Sequence, residues 1–178
     1  MLNLNSIGSN TQTINIHIIS SLGSGRRSFK DRFIKNTFSF ETNKSYCNNE
    51  DYKNILIDNC EYKITLDFHL LLHRNMIIVD RYFKSDSGVL VLVDLTSTKV
   101  FEVLENIFSA INRICDKGAY VCVVGTKADL VELRKITSEE VLEFIKKFEV
   151  SYVECSSLTG FGVNECILFM ARSIIKKY

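Results

Sequence analysis

The chain has 178 residues, 46% of them hydrophobic, enough for one domain whose core needs no disulfide or metal staple. Its 22 basic and 21 acidic residues leave a formal net charge of +1, so no whole-chain field argues for nucleic acid or an anionic membrane as partner. The six cysteines form no CxxC pair and no Cys/His cluster at zinc spacing, and no apolar stretch is long enough to cross a bilayer; reduced thiols in a cytoplasmic monomer are the expectation.

Residues 1–11 are expected to be a flexible N-terminal segment ahead of a single domain that runs to residue 178. Thr13 to Ile19 predicts a strand, with Ile14, Ile16 and Ile18 alternating against Asn15 and His17. Arg26 to Thr37 predicts a helix with Phe29, Phe33 and Ile34 on one face. The Asn-rich run from Phe38 to Asp51 reads as a loop. Tyr52 to Ile57 and Tyr62 to Asp67 read as two short strands, joined at Asp58-Asn59 by a turn pair suited to a hairpin. From His69 to Ser87 a loop and then an irregular helix are expected. His69 and His73, lacking a third ligand, read as a surface pair and not as a metal site.

The second half alternates more regularly. Gly88 to Val93 is a continuous apolar run, as in a strand buried on both faces. Ser97 to Cys115 repeats Val100, Leu104, Ile107, Phe108 and Ile111 at helical spacing, and Tyr120 to Val124 is another buried strand. Thr137-Ser-Glu-Glu140 is a capping box that opens a helix through Phe148, with Val141, Leu142 and Ile145 facing inward. Ser151 to Cys155 is a last strand, and Val163, Cys166, Ile167, Met170, Ala171 and Ile174 mark a terminal helix. This order describes an α/β fold: a doubly wound, six-stranded, mostly parallel sheet with one antiparallel strand and helices on both faces. Ligands of such sheets bind beyond the carboxyl ends of the strands.

The informative residues lie there. Thr126-Lys127-Ala128-Asp129 follows a buried strand, and Glu154-Cys-Ser156-Ser157-Leu158-Thr-Gly160 follows the last one. Ser20-Ser-Leu-Gly23-Ser-Gly25-Arg26-Arg27-Ser28 leaves the first strand and opens a helix. Taken alone, the first of these could be an ordinary strand exit. Together they resemble the [NT]KxD motif, the ExSAK-type motif and the phosphate loop of the small GTPases, the Ras/Rab/Rho-like P-loop proteins, and the resemblance runs from Thr13 to the terminal helix. Asp94-Leu-Thr96, with Phe101 beyond it, also resembles a family segment.

The resemblance implies a guanine-nucleotide switch that takes GTP and GDP. Asp129 would accept both the ring N–H and the amino group of guanine, a pair that adenine does not offer. Lys127 would lay its stem over the base or the loop backbone, and Thr126 would tie loops together. Ser156 and Ser157 would turn backbone N–H groups to the guanine carbonyl, and Leu158, at a base-lining position, replaces the commoner lysine. Phe38 would flank it. Gly23 and Gly25 keep two glycines of the phosphate loop, whereas Arg26 stands at the lysine position and Arg27 at the hydroxyl position. Shifting the frame by one would make Arg27-Ser28 the lysine–serine pair but misplace Gly25. A helix N-terminus there still offers N–H donors to phosphate.

Other positions depart further from the family. Asp67 is either a strand-end residue or the counterpart of a Mg²⁺-associated aspartate, and Ser45 aligns with the switch threonine that binds Mg²⁺. Leu70 and Leu71 replace the family's glycine and glutamine, and Leu71 cannot orient an attacking water. No catalytic residue is therefore assigned. Two functions stay open: a switch whose GTP hydrolysis is slow or lost, and a pseudo-GTPase interaction module that keeps the fold without nucleotide control. Some other doubly wound protein ranks below both. The end of the chain, Ile174-Ile-Lys-Lys-Tyr178, carries no cysteine for a lipid anchor. The sequence does not separate Ras, Rab and Rho, and it names no effector.

Overall fold

The computed structural model describes residues 11–40, 52–70, 88–114 and 119–176. Expectations that fall on residues 1–10, 41–51, 71–87, 115–118 and 177–178 lie outside them. These include most of the flexible leader, most of the Asn-rich loop, the irregular helix, Ser45, Leu71 and His73.

Six strands form one sheet in the order β2-β3-β1-β4-β5-β6. They are β1 (Gln12–Ser20), β2 (Tyr52–Ile57), β3 (Cys60–Leu70), β4 (Gly88–Asp94), β5 (Tyr120–Thr126) and β6 (Ser151–Glu154). Among the described strands only β2 runs antiparallel to its neighbour. The hairpin between β2 and β3 turns at Asp58 and Asn59, whose φ values of 50° and 64° are the pair of positive angles that a tight type I′ turn requires. The described helices are α1 (Arg26–Lys35), α2 (Val100–Ile114), α3 (Ser138–Ile145) and α4 (Val163–Ile175). No helix among the described residues is long and apolar enough to cross a membrane.

Two cores flank the sheet. On one face Ile14, Ile16 and Ile18 of β1 and Ile64 and Leu66 of β3 pack with Phe29 and Phe33 of α1 and with Val163, Ile167 and Met170 of α4. On the other, Ile19 and Val89, Val91 and Val93 of β4 meet Val100, Leu104, Ile107 and Phe108 of α2 and Val141 and Ile145 of α3. Truncating any one of these large side chains to alanine typically costs about 2–5 kcal/mol. Cys122 and Cys155 are fully buried, and burial pushes both thiols up to about 12; they act as small hydrophobes.

The structure corrects several expectations. β1 is covered on both faces, so His17, expected to alternate as a polar residue, is only 4% exposed. His69 is half-buried, with its ring nitrogen 3.2 Å from that of His17, while His73, the other member of the expected pair, lies outside the described residues. β3 does not stop at Asp67 but runs on to Leu70, because Phe68, His69 and Leu70 continue the parallel register against Ile18, Ile19 and Ser20. α1 stops at Lys35, where Asn36 turns left-handed (φ 54°) and its amide caps the Arg32 carbonyl. α3 has the expected capping box at Thr137 and Glu140 but gives way after Ile145 to a tight 3₁₀ turn over Lys146–Phe148. Val141 and Ile145 fill its inner face, and Leu142, about 100° round the helix from Val141, is half exposed.

Candidate functional site

The carboxyl ends of β1, β4, β5 and β6 deliver four loops to one end of the sheet. The first joins β1 to α1 through Gly23 and Gly25, both left-handed at φ 82° and 80°. A Cβ added at either would meet nothing within 4 Å, so it is the backbone conformation that calls for glycine there. Gly25 is the N-cap of α1, and the first turn carries no acidic residue. Its amides and the positive end of the helix dipole are thus available to an anion. Ser20 and Ser24 are fully buried in the same loop, and their hydroxyls have no hydrogen-bond partner among the described residues. Burying a hydroxyl unsatisfied costs about 1–3 kcal/mol. Arg26 is half-buried, Arg27 exposed and Ser28 half-buried.

Thr126, at the end of β5, ties this loop to the sheet. Its buried hydroxyl lies 2.9 Å from the Ser24 carbonyl and 3.0 Å from the Val93 carbonyl, joining the first loop to the ends of β4 and β5. The expected tie between loops is therefore present. With Gly25 as the cap, Arg26 and Arg27 open the helix.

Lys127 is left-handed (φ 61°), and its Nζ donates to Asp94 Oδ2 at 2.6 Å. Burial by itself would raise the pKa of Asp94. Hydrogen bonds from Lys127 and from the Thr96 hydroxyl and amide outweigh burial, and the carboxyl titrates below its ordinary range. Lys127 is thereby held across the mouth of β4. Asp129 differs: half-buried, it makes no hydrogen bond or ion pair with a described residue. A partly desolvated carboxylate left in this way is a good acceptor for two adjacent N–H donors.

The last loop is locked to the others by backbone. Ala128 donates to the Cys155 carbonyl at 3.1 Å and Cys155 to the Gly125 carbonyl at 2.8 Å. Ser156, almost fully buried, donates its amide to Phe161, and its hydroxyl accepts from the Thr159 amide at 3.1 Å. Arg32 of α1 reaches across to the carbonyls of Ser157 and Leu158, each at 2.8 Å. Behind them, Arg134 forks onto Glu154 at 2.9 and 2.5 Å, while Ser138 and Tyr152 also donate to that carboxylate. Arg134 above all, with Tyr152 and Ser138, holds the Glu154 carboxyl down at about 2 against the opposing effect of burial.

The structure thus brings Gly23, Gly25, Thr126, Lys127, Asp129, Ser156, Ser157 and Leu158 to one end of the sheet. The reach of Arg32 and the Arg134–Glu154 pair were not foreseen. Both could have been suspected from lone arginines placed beside the motifs, although no local spacing names their partners. Phe38 is half-buried and packs edge-on against Phe40 at 5.0 Å.

Asp67 stands elsewhere. Ile64, Leu66 and Phe68 point to the α1 face, with Lys30 Nζ 6.0 Å above the Phe68 ring. Alternation sends the exposed Asp67 to the opposite face, where its carboxylate lies 3.7 Å from His17 Nδ1. No group of three metal-binding side chains occurs among the described residues. With Arg26 and Arg27 opening α1 and Asp67 on the far face, the described residues do not fit a Mg²⁺ ion beside the first loop.

Comparison with known proteins agrees with this architecture. The Ras family model matches residues 15–176. The chain is 28% identical to the Ras-related protein RabC of Dictyostelium discoideum over 89% of its own length and 82% of that protein's. It is 25% identical to Ras-related protein Rab-4B of Homo sapiens (90% and 75% covered). It is 24% identical to GTP-binding protein ypt3 of Schizosaccharomyces pombe (89% and 74% covered).

Proposed function

The chain belongs to the Ras family of small GTPases, and we propose that it is a cytoplasmic guanine-nucleotide switch that binds GDP and GTP and hydrolyses GTP slowly or not at all. The observation that carries this reading is Asp129: a half-buried carboxylate without a described partner, at the rim of three loops fixed to one another by Thr126, Ala128 and Arg32. A rigid acceptor pair of this kind matches the N1–H and amino group of guanine and leaves adenine with unpaired polar groups. Gly23, Gly25 and the α1 N-terminus supply amides for the phosphates. Slow turnover follows from Leu71, which has no polar atom with which to orient a water.

The contrary reading, an interaction module without nucleotide control, draws its support from the Arg26-Arg27 pair and the placement of Asp67. Titration with fluorescent GDP and ADP analogues, beside an Asp129→Ala variant, separates the two. Tight GDP binding that ADP does not compete for and that the variant loses supports the switch. Absence of GDP binding leaves the interaction module.

A further inference from the structure

We infer that the polyphosphate is neutralised by Arg26 and Arg27 and not by a divalent ion, so that guanine nucleotide binding is independent of Mg²⁺. This inference rests on the guanine-binding reading above.

Three observations lead to it. The tie from Thr126 to Ser24, with Gly25 as the helix cap, sets Arg26 and Arg27 as the first two residues of α1. Both guanidinium groups therefore spring from the turn whose amides face the anion site. Neither forms an ion pair with a described residue. Two such groups carry the charge of one Mg²⁺, and their planar forks hydrogen-bond phosphate oxygens directly, which a hydrated ion does through water and strict octahedral geometry.

Secondly, the described residues around the loop are hostile to a cation. The first turn of α1 has no acid. One turn on, Asp31 pairs with Lys35 at 3.5 Å, and Asp94 is occupied by Lys127 and Thr96. On β3 the side chain that faces α1 is Phe68 with Lys30 above it, while Asp67 is turned to the far side against His17. A divalent ion brought to this loop meets positive charge and an aromatic ring.

Thirdly, the buried hydroxyls of Ser20 and Ser24, unpartnered among the described residues, bracket the same loop. Their polarity is accounted for by a loop that settles around an anion, and they offer a metal no charge.

The test uses the full chain and three probes: GDP, guanosine and GDP with excess EDTA. Circular dichroism and a melting curve accompany each variant, and both arginines lie outside the core, so a folded double variant is expected. The wild type should bind GDP with affinities in EDTA and in millimolar Mg²⁺ that agree within about threefold. Arg26→Ala with Arg27→Ala should weaken GDP by about 100-fold, roughly tenfold for each charge-assisted contact, and leave guanosine affinity unchanged. A loss of GDP affinity of about tenfold or more on chelation, or a double variant that binds GDP as the wild type does, overturns the inference while the guanine reading stands. Failure of the wild type to bind either GDP or guanosine overturns both.

Discussion

Arg32 Nε donates to the carbonyl of Ser157 across 2.8 Å, so the helix that opens at the glycine loop also holds the loop that follows β6. The same guanidinium reaches the Leu158 carbonyl and is braced by Asn36. Hydrogen bonds to a charged donor contribute about 1.5–3 kcal/mol each when well placed, less where solvent reaches them as it does here. Arg32→Ala should lower stability by about 1–2 kcal/mol and weaken GDP, whereas Arg32→Lys, which cannot span both carbonyls, should recover only part. Urea unfolding with and without nucleotide reads both effects.

Thr126 makes the corresponding tie on the other side. Its hydroxyl, a single donor, lies within hydrogen-bond reach of two carbonyls in a buried position, so Thr126→Val keeps the shape and removes the one donor they share. A loss of about 1–3 kcal/mol is expected, together with weaker GDP binding because the glycine loop is no longer held to β5. A variant with wild-type melting temperature and wild-type affinity would show that the contact has no such role.

The Arg134–Glu154 pair makes acid stability a readout of the scaffold. Glu154 titrates at about 2 in the folded chain, below the roughly 4.3 of an unfolded chain. A group depressed in this way contributes stability that is complete above the unfolded value and is lost as pH falls toward the folded one. The wild type should therefore lose stability between about pH 4.5 and pH 2. Glu154→Gln should be less stable at neutral pH and show a shallower decline over that window. Unfolding curves at a series of pH values check the difference.

On the proposed guanine-switch reading, Asp129 sets base preference by its acceptors. Asparagine at this position keeps one acceptor and gains a donor, which fits the ring N–H and the 2-carbonyl of xanthine in place of guanine's two donors. Asp129→Asn should bind GDP far more weakly and gain affinity for xanthosine diphosphate. The two titrations, run on one preparation, make the comparison independent of folding.

Much of this was legible in the chain. The alternating apolar runs of β1, β4 and β5 and the Thr137 capping box placed the sheet and α3 because each is a local pattern with a local cause. The motif at Thr126–Asp129 was legible for the same reason. What escaped the sequence depends on distant packing. Whether His17 is buried turns on both faces of β1 being covered, and the length of β3 turns on its pairing with β1 through Ser20 and Leu70. Because that pairing carries the strand past Asp67, alternation with Leu66 and Phe68 fixes the direction of its side chain. Arg32 and Glu154 act on partners in other elements, which no spacing rule reveals.

Amide hydrogen exchange with and without GDP tests the central claim most directly, because one guanine nucleotide must touch loops far apart in sequence. The expected result is joint slowing in the Ser20–Arg27 segment, in Thr126–Asp129 and in Ser156–Leu158, with the Asp129→Ala variant showing none of it. Exchange that GDP leaves unchanged in all three segments of the wild type would contradict the account.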